Sequence, residues 1–415
     1  MSAAIRIGMS LVIVLLVASV VAVYVERRAA WAFALSRIQR RVLGSVVALG
    51  FLAALVSRAL GPEDAHLALP LGMFGGTMLL GVVISFAFLL PLELVQLVAR
   101  GVSKLRARTR TAPVSDDATT ATAPGSEPAR DAPVMPERRA FLARAAAGGA
   151  VTLGMGSAVY GTLLGRHDYT VDTVPIRLAK LPKALDGLTI VQLSDIHVGT
   201  FVGERELGAA LELVARAKPD LVVMTGDLID HEIHYAPVLA RFARALQSRS
   251  RYGVYAIPGN HDHYTGASEV MRFLREAGTE VLLNRHVRIG DERGASIVLA
   301  GLDDVAGPRF GSAGPELARA FGNAPDDVAR VLLSHNPAFF EEAHRHADLT
   351  LSGHTHGGQI TLFVNPAKLV LRHGLVRGHY TVDGSQLYVN RGFGTAGPPV
   401  RVGSPPEITR LVLTS

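Results

Sequence analysis

The chain has 415 residues, 49% of them hydrophobic and 19% charged, and no cysteine, a length that fits two or three domains and a composition that excludes disulfide frameworks, thiolate zinc sites, CxxC redox motifs and thiol nucleophiles. The formal net charge of +6 is unevenly spread: residues 1–168 carry 17 Lys/Arg against 10 Asp/Glu, and residues 169–415 carry 25 against 26. With its basic surplus confined to the N-terminal part, the C-terminal part lacks the clustered cations of a phosphate-tracking groove, and no nucleic-acid partner is expected.

Residues 1–100 read as a transmembrane region of about three helices. Ile7 to Val25 is uncharged, Val42 to Val56 is shorter and contains glycine, and Leu67 to Leu90 is apolar again; a helix needs about 20 such residues to cross a bilayer. Arg27, Arg28, Arg37, Arg40 and Arg41 lie between the first two runs, and Arg100, Lys104, Arg106, Arg108 and Arg110 follow the third. The positive-inside tendency puts both basic segments in the cytoplasm and the short acidic loop GPEDAH on the opposite side. Residues 101–137 read as a flexible cytoplasmic linker, because their Ala/Thr/Pro/Asp-rich stretch has no apolar periodicity. In residues 138–166, Arg138-Arg139-Ala140-Phe141-Leu142 leads into a Gly/Ala-rich uncharged run. Two readings stay open there, a twin-arginine export signal and a fourth spanning helix flanked by arginines. Under either, the chain is a multi-pass protein of the cell membrane with residues 169–415 extracytoplasmic.

From Tyr169 the pattern changes to short β-branched runs that end in polar turns. Leu188 to Leu193 precedes Ser194-Asp195-Ile196-His197, Asp220 to Thr225 precedes Gly226-Asp227-Leu228-Ile229-Asp230, and Gly253 to Ile257 precedes Pro258-Gly259-Asn260-His261-Asp262. Arg330 to Leu333 precedes Ser334-His335, and Leu349 to Leu351 precedes Ser352-Gly353-His354-Thr355-His356-Gly357-Gly358-Gln359. Amphipathic stretches at 205–218, 237–248 and 268–277 alternate with the runs. This predicts an α/β domain with its ligands at the carboxyl edges of the strands.

Carboxylates and imidazoles without thiolates suit manganese, iron or zinc. One carboxylate can bridge two ions, and such a pair acidifies a shared water to supply hydroxide in line with a phosphorus centre. Gly259 and Gly357-Gly358 fit sharp turns beside the ions.

Taken in order, the five blocks resemble the calcineurin-like metallophosphoesterase superfamily over roughly residues 185–415. The resemblance implies a sandwich of two central β-sheets flanked by helices. It also implies that Asp195, His197 and His356 hold one divalent ion, that Asp227 bridges, and that Asn260, His335 and His354 complete the second ion's site. His261 matches the acid that protonates the leaving oxygen, and Asp230 the carboxylate that orients it. The Gly-His-Thr-His-Gly-Gly-Gln ending and Tyr388–Gly394 resemble the bacterial membrane-anchored or exported branch related to UDP-2,3-diacylglucosamine pyrophosphatase-like enzymes. Gly392 to Gly397 matches GxGxxG, but Pro398-Pro399 follows where a dinucleotide fingerprint needs a helix. Arg391 reads as a surface or structural residue before a phosphate ligand. His344 and His346 fit a solvated helix face, His373 and His379 a basic loop, and His231, His234 and His263 the entrance to the metal loops.

The expected function is a membrane-anchored phosphoesterase acting on a phosphoester or pyrophosphate bond of a phosphorylated small molecule, a lipid-linked phosphate or a glycolipid. A broad extracytoplasmic phosphodiesterase or phosphatase, and a metal-binding sensor or scaffold without turnover, are the alternatives.

Overall fold

The computed structural model describes residues 3–60, 62–109, 136–290, 294–362 and 365–415. Most of the expected linker, residues 110–135, lies outside them. The chain divides into two compact units, one of residues 1–53 with 77–159 and the other of residues 54–76 with 160–415.

Four long helices open the chain: α1 (Ala3–Ala32), α2 (Arg37–Ala59), α3 (Ala65–Thr109) and α4 (Pro136–Leu163). Among the described residues, the segments Arg37–Ala59, Ala65–Leu105 and Glu137–His167 are long and apolar enough to cross a membrane by length and composition. The third helix runs well past the expected Leu90 and absorbs the start of the expected linker; Glu93 through Thr109 are rich in Leu, Ala, Arg, Lys, Gln and Glu, all good helix formers, and contain no proline. The Arg138-Arg139 pair lies in the first turn of α4.

In the first unit, small and β-branched residues form the helix contacts: Ala22, Val25, Ala29, Val82, Ala147, Ala150 and Val151 are buried with Leu89. Small residues let helix backbones approach closely where apolar surroundings give no hydrophobic drive. Arg28 and Glu93 form an ion pair, and Ser85 Oγ donates to the Val151 carbonyl. Leu16, Val20, Leu49, Leu52 and Leu94 are exposed.

The second unit holds two six-stranded sheets. Their strands are β1 (Thr170–Arg177), β2 (Thr189–Leu193), β3 (Leu221–Thr225), β4 (Val254–Ile257), β5 (Glu280–Val281), β6 (Arg285–Gly290), β7 (Ser296–Gly301), β8 (Arg330–Leu333), β9 (Leu349–Ser352), β10 (Gly378–Val382), β11 (Ser385–Val389) and β12 (Glu407–Thr414). The first sheet runs β1-β12-β2-β3-β4-β5 and the second β10-β11-β9-β8-β7-β6, the two-sheet sandwich that the resemblance implied. All five residues of β2 and of β3 are buried, as expected of parallel strands covered on both faces. Ile190, Leu221, Val223 and Ile257 of the first sheet share one core with Leu299, Val331, Leu333, Leu349 and Leu351 of the second.

The other face of the first sheet is covered by α5 (Glu204–Ala217), α6 (Ala236–Gln247) and α8 (Ala267–Glu276), which begin and end within one residue of the periodicity in the sequence. Between the last two, α7 (Asn260–Thr265) is a short helix opening at the Gly-Asn-His-Asp block. Strands β2, β3 and β4 pair in parallel, as do β8 and β9. All five motif-bearing loops therefore leave carboxyl ends of strands.

Candidate metal centre

The loops after β2 and β3 continue the parallel ladder beyond the strands. Asp195 N donates to Gly226 O at 3.0 Å, His197 N to Asp227 O at 3.0 Å, and Asp230 N to Val198 O at 3.1 Å. This zipper fixes the two acidic loops side by side. The second sheet is tied in by buried polar links: Gln192 Nε2 donates to Ser352 O at 3.0 Å and to Thr225 Oγ1 at 2.9 Å, and His335 Nδ1 donates to Thr225 O at 2.8 Å. That last bond leaves His335 Nε2 facing the site, the usual way a backbone carbonyl fixes the ring of a ligating histidine.

Three donor clusters are found among the described residues: Asp195, His197 and His356 form one, Asp227, His335 and His354 a second, and His197, Asp230 and His261 a third, with the ligand-capable atoms of each within 4.8 Å of one another. In the first, His197 Nε2 lies 3.1 Å from His356 Nε2, and His356 Nε2 lies 3.4 Å from Asp195 Oδ1. In the second, His335 Nε2 lies 3.2 Å from Asn260 Oδ1 and 3.3 Å from His354 Nδ1. Asp227 faces both, with Oδ2 3.7 Å from His197 Nε2 and Oδ1 3.3 Å from His335 Nε2. The residue set fits two divalent cations. Imidazole nitrogens converging on carboxylates and on each other cannot all be satisfied by protons, and the set suits borderline ions.

The backbone is strained at these positions. Asp195, His197, Asp227, His354 and His356 all have φ between 50° and 72°, a region that costs a non-glycine residue and clusters at functional sites. Gly357 and Gly358 have φ of 60° and 86°, as their expected turn requires. Gly259 differs from expectation: its φ of −113° is ordinary. Its role is close approach, since a Cβ there would run into Asp227 Oδ1 and the Asp227 backbone nitrogen.

Protonation follows the geometry. Burial opposes charge on Asp227, but His335, then His197 and His261, hold its carboxyl well below the usual carboxylate range. Burial likewise works against the charged His335 ring, and Asp227 overrides it and raises the pKa well above the ordinary value. Burial lowers the pKa of His354 and of His356, which favours the neutral ring that metal ligation needs, whereas His335 must give up the proton that Asp227 favours before it can bind an ion.

His261 and Asp230 also come together. His261 Nδ1 is 3.2 Å from Asp230 O and 3.5 Å from Asp230 Oδ1, while the same Oδ1 is 3.6 Å from His197 Nδ1. The Asp230 carboxylate thus lies against both His197 and His261. Burial lowers the His231 pKa, and the field of Arg58 pushes the same way against Asp230.

Sequence reasoning gave no role to three residues that support the site. Asp262, fully buried, accepts from Gly259 N at 2.8 Å, Leu228 N at 3.1 Å and Ile229 N at 3.2 Å, and burial with the Asp227 charge pushes its pKa up to about 6. Buried Arg401 donates to Gly392 O at 2.9 Å and lies 3.1 Å from His356 Nδ1. Asp304, buried in the loop after β7, adds to the fields on His335 and His354. Asp303-Asp304 repeats the strand-then-acid pattern and was findable, whereas nothing local marks Arg401.

Arg391 is engaged structurally, 2.8 Å from both Asp172 Oδ2 and Glu407 Oε2. His263, expected at the entrance, is buried and 2.8 Å from Asp303 Oδ1. His231 stays at the mouth, 3.4 Å from Asp230 Oδ1, and His234 pairs with Glu232 at 3.0 Å. His344 lies 3.7 Å from Asp383, His373 3.0 Å from Glu341, and His379 2.9 Å from Gln386.

The sequence matches the family profile "Calcineurin-like phosphoesterase" over residues 188–358. It is 34% identical to an uncharacterized metallophosphoesterase of Aquifex aeolicus, over 64% of this chain and 97% of that protein. It is equally identical to one of Bacillus subtilis, over 67% of this chain and 98% of that protein. A Danio rerio relative named "Transmembrane protein with metallophosphoesterase domain" is 36% identical over 62% of this chain, which spans only 60% of that protein's length.

The packing at Gly259 yields a test. Gly259→Ala should displace Asp227 and lower the manganese or zinc retained per purified chain by about the 10–100-fold in affinity typical of supporting-shell changes, read by elemental analysis after dialysis. Retention equal to the parent protein would refute the close-approach role.

Proposed function

The chain belongs to the calcineurin-like metallophosphoesterases and is a phosphoester hydrolase; on that footing we propose that its reaction uses two divalent ions shared through Asp227. Asp195, His197 and His356 would hold one and Asn260, His335 and His354 the other. The observation that carries this reading is the Asp227 carboxylate, whose two oxygens face two separate donor sets. Two ions of manganese, iron or zinc would there supply a water acidic enough to act at neutral pH and offset charge on the phosphoryl oxygens.

The chain's own residues do the rest. Asp230 holds Nδ1 of His261 and so fixes the ring, leaving Nε2 as the nitrogen that passes a proton to the leaving oxygen. Burial opposes the charged form of His261, yet Asp230 and Asp227 raise its pKa above the ordinary value. The acid form therefore persists to higher pH than that of an ordinary imidazole and is lost as pH rises through the raised value.

For the substrate we propose a membrane-resident phosphoester, lipid-linked or glycolipid. Three long apolar helices support a membrane location, as does the transmembrane name of the zebrafish relative. Multi-pass insertion with an extracytoplasmic domain rests on the charge pattern of the loops. It gains support from the compact unit itself, in which residues 54–76, carrying the short acidic loop, are grouped with residues 160–415. Residues 138–166 then act as a last span, whether or not Arg138-Arg139 is also read as an export signal. The narrower likeness to nucleotide-sugar pyrophosphatases is not adopted. Tyr388 Oη is spent on Glu407 at 2.6 Å, Arg391 is spent in ion pairs, and an extracytoplasmic domain would not meet a cytoplasmic nucleotide sugar.

Three outcomes are expected. Asp227→Asn in the manganese-loaded full-length protein should reduce bis(4-nitrophenyl) phosphate hydrolysis to background, and full retained activity would overturn the two-ion reading. Asp230→Asn removes a partner that raises the His261 pKa, so the alkaline limb of the kcat/KM profile should move to lower pH; an unmoved limb would exclude His261 as the acid. A periplasmic-type reporter fused after Ser415 should be active, and activity of a cytoplasmic reporter there would reverse the sidedness.

A further inference from the structure

A cavity of about 260 Å³ opens beside the candidate centre, lined by Arg58, Phe201, Asp230, His231, Glu232 and Tyr235 among others. All of these residues belong to the same compact unit. Arg58 sits in the last turn of α2, an apolar helix long enough to cross a membrane. The tip that carries it is built onto the catalytic part: Ser57 Oγ donates to Ala68 O at 2.9 Å, and Gly72 leaves room for the Phe201 ring, which a Cβ there would meet at 2.7 Å.

The charges around the cavity do not cancel alike. Asp230 lies 3.4 Å from His231 and is shared with His197 and His261, and Glu232 lies 3.0 Å from His234. Arg58 has no ion pair or side-chain hydrogen bond among the described residues, and its guanidinium lies against Gly397, 3.5 Å from where a Cβ would stand. A guanidinium is always charged and presents a fork of donors that matches phosphate or carboxylate. Such a group, exposed and without a protein anion at the mouth of this centre, is available to an anion that comes with the substrate.

We propose that Arg58 binds a second anionic group of the substrate, so that the molecule cleaved here carries one phosphate at the Asp227 centre and another acidic group in the cavity. The proposal rests on the hydrolytic reading of the Asp227 centre and adds a substrate feature to it. The second group is a phosphate or carboxylate of a lipid headgroup or of a soluble molecule. The position of Arg58, at the end of an apolar helix with Leu55 and Val56 exposed beside it, makes an amphiphile the better match.

The test uses the full-length, manganese-loaded protein in detergent and three inhibitors of bis(4-nitrophenyl) phosphate hydrolysis. These are dihexanoyl phosphatidylinositol, with one phosphate, dihexanoyl phosphatidylinositol 4-phosphate, with two, and deacylated glycerophosphoinositol 4-phosphate, with two phosphates and no chains. Arg58→Gln should weaken inhibition by both two-phosphate compounds about tenfold, while inhibition by phosphatidylinositol changes less than twofold; Arg58→Lys should restore most of the preference. Tighter inhibition by the acylated than by the deacylated two-phosphate compound identifies a lipid headgroup as the source, and equal inhibition identifies a soluble anion; both support the second-anion subsite. An equal loss for one- and two-phosphate compounds, or no loss, overturns the subsite while leaving the hydrolytic reading intact. A parent protein without bis(4-nitrophenyl) phosphate hydrolysis overturns both.

Discussion

The structure is organised around one buried carboxylate that must face two ways. Asp227 turns Oδ1 toward a histidine from the second sheet and Oδ2 toward one from the first. Neither orientation survives unless the carboxyl ends of both sheets are locked together. The lock is polar and buried: Gln192 joins β2 to the end of β9, and His335 bonds back to the last carbonyl of β3. Buried polar groups are costly unless satisfied. These links set the register between sheets that hydrophobic contact alone leaves soft.

The same constraint explains the backbone. Five of the seven residues assigned to metal binding lie in left-handed conformations, and hydrogen bonds from neighbouring loops hold them there. His354 N donates to Asp195 Oδ1 at 2.9 Å, His261 N donates to Asp227 Oδ1 at 2.8 Å, and Gly394 N donates to Asp195 O at 2.8 Å. Each loop is braced by the next loop's backbone rather than by its own strand. Asp230 extends this economy: one carboxylate supports a residue assigned to metal binding and the residue assigned as proton donor, so the tilt of His197 and the charge of His261 are coupled through it.

What was legible in the sequence follows from range. The five motif-bearing strands were readable because each is a short buried run ended by its own polar loop, and the three covering helices because their periodicity is local. The strands β1, β5, β6, β7, β10, β11 and β12 carry no such signal. Most have mixed burial, and β12 enters the first sheet between β1 and β2, parallel to one and antiparallel to the other, a placement decided by partners over 200 residues away. Arg401 was invisible for the same reason: a lone arginine after two prolines becomes meaningful only when the chain returns to place it beside His356. The extension of α3 to Thr109 lies beyond the apolar run that marks it in the sequence, because the basic residues from Arg100 on end its apolar part and not the helix.

Residues 54–76 carry the last consequence. They belong by sequence to the apolar helices, and by packing to the compact unit that contains both sheets. A tether joined through a flexible linker would leave the catalytic mouth free to face any direction. Packing of Gly72 against Phe201 instead makes the segment 54–76 part of the unit that holds the cavity. Under the proposed subsite, the last turn of the apolar helix α2 would supply, through Arg58, the positive charge at the cavity.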